Sequence, residues 1–153
     1  MALRLEIVTP ERTVYSSTAE SVVLPTLQGE IGVLPGHIPL VTLVKPGEIE
    51  VINPGNNEAI TNPDDPGFGK PGPNLLAVDK GFAEILGDKV SILTEAAIDV
   101  EKIDLGEVEE AKRRAQEALE QAREEGLDPE EIERLEAVAR FAIAQELAKA
   151  RKR

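Results

Sequence analysis

The hydrophobic repeat of this chain changes once, near residue 104, from every second residue to every three or four. Strands place successive side chains on opposite faces, whereas a helix returns to the same face after about 3.6 residues. One such switch divides the chain into a β head and a helical tail. Upstream, Leu3, Leu5 and Ile7 alternate with Arg4, Glu6 and Val8. Further strand-like runs cover 13–17, 20–25, 31–34, 40–44, 48–52, 75–79, 82–86 and 89–94. Gly29, Pro35-Gly36, Pro46-Gly47, Lys80-Gly81 and Gly87-Asp88 punctuate them. Many short strands separated by turns predict an antiparallel β-sandwich or barrel. No helical repeat intervenes, which argues against a parallel α/β sheet. The expected head spans 1–98 and the tail 99–153.

In the tail, Leu105, Val108, Ala111, Ala115, Ala118/Leu119 and Ala122 form one apolar stripe. Asp104 with Glu107 reads as an N-cap pair, and Gly126 as the residue that ends the helix. Asp128 caps a second helix, with Pro129 in its first position and Glu130-Glu131 in its first turn. Its stripe takes Ile132, Leu135, Val138/Ala139, Ala142/Ile143 and Leu147. So short a link predicts an antiparallel two-helix hairpin. Both stripes lean on alanine, which buries little area per residue. Two readings follow: an ordinary appendage with a small contact, or an element that changes position.

Residues 53–74 hold five of the eleven prolines and four of the twelve glycines. They read as an inserted loop, with only Glu58-Ala59-Ile60-Thr61 able to form a strand.

Several functions are disfavoured by composition. A net charge of −12 repels nucleic-acid phosphates and anionic lipid. The chain has no cysteine, so disulfides, thiolate metal sites and cysteine nucleophiles are out. No apolar run reaches bilayer length, and the first residues resemble neither a signal nor a transit peptide, so the chain is expected to work where it is made. The single histidine, His37, lacks companions for zinc or for a nucleophile–base pair and reads as a turn or interface residue. The glycines of 29–36 fit no phosphate-binding pattern. Paired acids such as Glu109-Glu110 read as solvated helix faces. The tail Lys149-Ala150-Arg151-Lys152-Arg153 either complements a helix dipole or docks on an acidic partner. No catalytic constellation, metal site or cofactor site emerges, and a protein-binding role is left.

Three blocks carry a family resemblance: Gly29-Glu30-Ile31-Gly32-Val33-Leu34-Pro35-Gly36-His37-Ile38-Pro39-Leu40, Asp79-Lys80-Gly81-Phe82, and Val90-Ser91-Ile92-Leu93-Thr94-Glu95-Ala96-Ala97. With Lys45-Pro46-Gly47-Glu48-Ile49 and the helix pair, they resemble the epsilon subunit of F-type ATP synthases. The resemblance implies a non-catalytic central-stalk subunit without cofactor. Its sandwich would bind the gamma subunit and rest on the c-subunit ring, coupling ion flow to rotation. Its hairpin would either dock on the sandwich or extend toward the alpha/beta ring and obstruct ATP hydrolysis. Glu30, Gly36, His37 and Pro39 would face the c-ring or gamma. Arg134, Arg140, Lys149, Arg151, Lys152 and Arg153 would meet an acidic segment of beta.

Some bacterial members bind ATP through an Ile/Leu-Asp-x-x-Arg-Ala motif. Ile103 and Asp104 match it, but Glu107 and Val108 replace its arginine and alanine. Arg114 matches one further basic position, while Ala142 and Glu146 stand at helix-two positions where arginines are usual. A nucleotide phosphate would meet Glu107, so ATP binding is expected to be weak or absent. The implied location is peripheral, at the cytoplasmic face of a bacterial inner membrane or the stromal side of a thylakoid, with membrane contact only through the complex. The alternative reading is a free-standing nucleotide-sensing or adaptor module of the same architecture.

Overall fold

A computed structural model describes residues 3–53 and 72–151. Ten strands come first: β1 (Leu3–Val8), β2 (Thr13–Ala19), β3 (Ser21–Thr26), β4 (Gly29–Val33), β5 (His37–Val44), β6 (Gly47–Asn53), β7 (Gly72–Val78), β8 (Gly81–Gly87), β9 (Lys89–Thr94) and β10 (Ala97–Asp99). A 3₁₀ turn at Val100–Lys102 leads into α1 (Leu105–Glu125) and α2 (Pro129–Arg151). Most of the 53–74 stretch, with Glu58-Ala59-Ile60-Thr61, lies outside the described residues. Its two ends are strand: Asn53 pairs with Gly72 in the β6–β7 ladder.

The strands run in the order β10-β7-β6-β3-β5-β8-β9-β1-β2, with β4 also on β3. β2 packs against β6, so the sheet folds back into two layers. Pairings are antiparallel except between β1 and β9, which run parallel. These strands are distant in sequence, so no hairpin fixes their sense. The three-residue β10 pairs with Leu76–Val78 and is too short to show a period in the sequence.

Alternation places Leu5, Ile7, Leu24, Ile49, Ile85 and Ile92 in one core between the layers, each at 0 % exposure. Tyr15 is buried with them. Gly81 serves this packing directly. A Cβ there would collide with the backbone of Leu93 and Thr94 on the paired β9 strand.

The helix ends follow the caps read from sequence. Asp104 accepts the Glu107 N–H at 3.2 Å, and Gly126 closes α1 in the left-handed region. Asp128 accepts the Glu130 N–H at 3.1 Å at the start of α2. α2 lies on β6 and β7, and α1 lies on α2.

The seam beneath the hairpin differs from the expected stripes. Ala139, Ala142, Ala144 and Ala148 are buried, while Leu105, Val138, Ile143 and Leu147 are exposed. Small side chains let the helix backbone approach the sheet closely, so the contact is made on the alanine side of the stripe. Ala77, Val100, Ile103 and Val108 meet Ala142 and Ala148 there. Between the helices, Ala115, Leu119 and Ala139 pack with Ile132 and Leu135.

Candidate functional site

The outer face of β5, β8, β9 and β1 breaks the usual apolar-in, polar-out rule. Leu43 pairs with Phe82, Phe82 with Leu93, and Leu93 with Val8. One register row thus carries an apolar residue on each of four adjacent strands. Leu43 is 58 % exposed, Phe82 42 % and Leu93 41 %. The next row is mixed: Val41, Glu84, Ser91 and Glu6. With Leu27, Pro10 and Pro46, the apolar row lines a groove of about 640 Å³. Lys45, Lys80 and Glu95 supply charge along its lining. A contiguous apolar groove with a charged margin has the make-up of a protein-docking surface.

The residues read from the sequence as one interface do not form one cluster. His37 pairs with Gly87 at the start of β5, and the Gly36 N–H donates to Asp88 Oδ1 at 2.9 Å. Gly36 has φ 81°, which a residue with a Cβ rarely adopts. The His37 ring donates from Nδ1 to the Ile38 carbonyl at 2.6 Å. Pro39 sits in a bulge between the His37 and Leu40 pairings, where its missing N–H breaks no ladder bond. Glu30 lies elsewhere. It pairs with Pro25 beside Thr26, and Thr26 pairs with Val44 at the far end of β5. There it lines a hollow with Lys45, Pro46, Glu48 and Leu147, between sandwich and α2.

The cations of α2 also divide. Arg134 is exposed, 4.0 Å from Glu131. Arg140 forms a two-pronged ion pair with Asp79 of the sandwich, Nε to Oδ1 at 2.8 Å and Nη2 to Oδ2 at 3.2 Å. The hydrogen bonds to Asp79 hold the Arg140 pKa above its ordinary value, against the opposing effect of burial. Lys149 donates to the Val100 carbonyl at 3.2 Å. Arg151 is the last described residue, and Lys152 and Arg153 lie outside the description. Nothing in the sequence signalled the Asp79–Arg140 pair. Both are ordinary surface residue types, and only the hairpin's return brings them together.

The nucleotide-motif residues do not converge either. Ile103 is buried, and Asp104 Oδ1 is engaged as the α1 cap. Arg114 is exposed and donates to Glu110 at 3.2 Å. It stands ten residues beyond Asp104, roughly 15 Å along the helix axis. Glu146 binds Lys112 across the helix pair at 2.9 Å. Among the described residues, no helix is long and apolar enough to cross a membrane.

A sandwich head with a docked two-helix tail and an exposed apolar groove has the make-up of a protein that docks on others. Comparison with known proteins gives the family. Residues 2–62 match the model described as ATP synthase, Delta/Epsilon chain, beta-sandwich domain. The ATP synthase epsilon chain of Macrococcus caseolyticus is 37 % identical over 146 residues, covering 94 % of this chain and 96 % of that one. That of Desulfosudis oleivorans is 41 % identical over 118 residues, 77 % of each chain. A chain in the Euglena gracilis mitochondrial ATP synthase structure (OSCP/F1/c-ring, rotational state 1) shares the fold, with a TM-score of 0.62 and 22 % identity over 96 % of this chain and 81 % of that one. This chain belongs to the ATP synthase epsilon chain family.

Proposed function

We propose that this chain is a non-catalytic coupling and regulatory subunit of the central stalk of a rotary ATP synthase. The Leu43–Phe82–Leu93–Val8 row is the observation that carries this reading, because it offers an apolar contact to a partner shaft. In this reading the row and groove take the gamma subunit. The sandwich margins, with Gly36, His37 and Pro39 at one end and Glu30 at the other, meet gamma or the polar loops of the c-ring. Torque then passes through shape and contact, and the chain makes and breaks no bonds. It works at the cytoplasmic face of the membrane, reaching it only through its partners.

The hairpin is the regulatory element. Its alanine seam and charged outer face support a docking that can be reversed, and its good helix formers let each helix persist when undocked. Extended, it lies along gamma toward the alpha/beta ring and obstructs hydrolysis. Arg134, Arg140, Lys149, Arg151, Lys152 and Arg153 then meet an acidic segment of beta. Deleting residues 149–153 from the assembled complex is expected to raise ATP hydrolysis while the complex still co-purifies intact. Hydrolysis unchanged by that deletion contradicts the inhibitory role.

A further inference from the structure

Asp79 and Arg140 are 61 residues apart in the chain and meet across the seam between sandwich and hairpin. The fork of the guanidinium matches both carboxylate oxygens, a geometry that an ammonium cannot reproduce. The Asp79 side chain is only 3 % exposed, whereas that of Arg140 is 32 % exposed. Asp79 is fixed from within the sandwich. Its Oδ1 accepts the Lys80 N–H at 2.8 Å, its own N–H donates to the Ala96 carbonyl at 3.0 Å, and its carbonyl accepts the Thr94 hydroxyl at 2.9 Å. The carboxylate is therefore a fixed post and the arginine the movable part. Besides this pair, contacts at the seam among the described residues include the packing of Ala142 and Ala148 on Ala77, Val100, Ile103 and Val108, the Lys149–Val100 bond and an exposed contact between Lys80 and Glu133 at 3.6 Å.

We infer that Asp79 and Arg140 form a charge latch that holds the hairpin on the sandwich and, while closed, withholds Arg140 from any acidic partner surface. The inference rests on the reading of the hairpin as a movable element. One guanidinium serves two carboxylate partners in turn, Asp79 in the docked state and an acidic segment of another chain in the extended one. Opening the latch brings water to both groups, so no buried charge is stranded and the docked state is not locked. Removing one partner by mutation acts differently. Without Arg140, the docked state keeps a buried, uncompensated carboxylate, which is strongly unfavourable. Without the Asp79 charge, Arg140 still reaches solvent, and the loss is milder. Removing both charges relieves the penalty.

The chain has no cysteine, so spin labels placed by Glu20→Cys and Ala150→Cys, both exposed positions, report the sandwich-to-hairpin distance alone. In the full chain, Arg140→Met is expected to raise the ratio of long to short distances about tenfold or more. Asp79→Asn, which keeps the acceptor for the Lys80 N–H, is expected to raise it by a smaller factor. The double variant should fall below Arg140→Met alone. Distance distributions unchanged in Arg140→Met, or a double variant that opens as far as the two single effects combined, would overturn the latch. Hydrolysis by the assembled complex is a separate readout. Asp79→Asn, which releases the hairpin with Arg140 intact, is expected to deepen inhibition. A variant that opens in isolation yet leaves hydrolysis unchanged keeps the latch and removes the inhibitory reading.

Discussion

Gly81 shows how a single residue fixes the head. The Lys80-Gly81 turn was legible in the sequence as punctuation, but the reason for glycine lies on another strand. A Cβ at this position meets the Leu93 carbonyl and the Thr94 backbone, and neither can move without breaking the β8–β9 ladder. Gly81→Ala is therefore expected to destabilise the sandwich by about 2–4 kcal/mol, measured by denaturant unfolding, with α-helical content retained until the head unfolds. The motif at Ile103-Asp104 gives the opposite lesson. It reads as a relic of a nucleotide site, and the structure employs Ile103 in packing and Asp104 as a cap. Millimolar ATP is expected to leave the Tm unmoved, because ligand that binds only the native state must raise it. A large upward shift in a thermal melt contradicts this reading. Long-range partnerships such as Asp79–Arg140 were illegible, since local pattern contains nothing about residues 61 positions away.

At the scale of elements, caps and periods marked both helices, because Asp104, Gly126, Asp128 and Pro129 act within one turn of themselves. The face that each helix buries was less legible. Hydropathy ranks Leu147 and Ile143 above alanine, yet close approach to the sheet selects Ala142, Ala144 and Ala148. β10 and the parallel β1–β9 pairing escaped for a related reason: their position is set by neighbouring strands. The outer face of α1 carries its own charge ladder. Hydrogen bonding from Arg113, aided by its charge and by Arg114, holds the Glu110 carboxyl below the usual range. A carboxylate depressed in the folded state stabilises above its unfolded pKa, and that contribution is lost as pH falls through the folded value. The melting midpoint of the helical circular-dichroism signal is thus expected to drop slightly below about pH 4, and added salt should blunt the difference between neutral and acid conditions. A helical signal insensitive to both means that the ladder contributes nothing.

Across the whole molecule, the proposed function gives two surfaces different jobs. The alanine seam and its ion pair face inward, between head and tail, and suit a contact that opens. The Leu43–Phe82–Leu93–Val8 row faces outward across four hydrogen-bonded strands, which suits lasting attachment. The division into β head and helical tail was readable from one change of period. The apolar row was not, because an apolar residue at an outward position looks like any other strand residue until the register is known. Titrating the purified chain against an isolated gamma subunit by calorimetry tests the docking surface most directly. A one-to-one complex is expected, weakened about a hundredfold or more by Phe82→Glu, a loss in the range of a central interface residue. No binding by the native chain, or equal binding by Phe82→Glu, contradicts the proposal that this face holds the shaft.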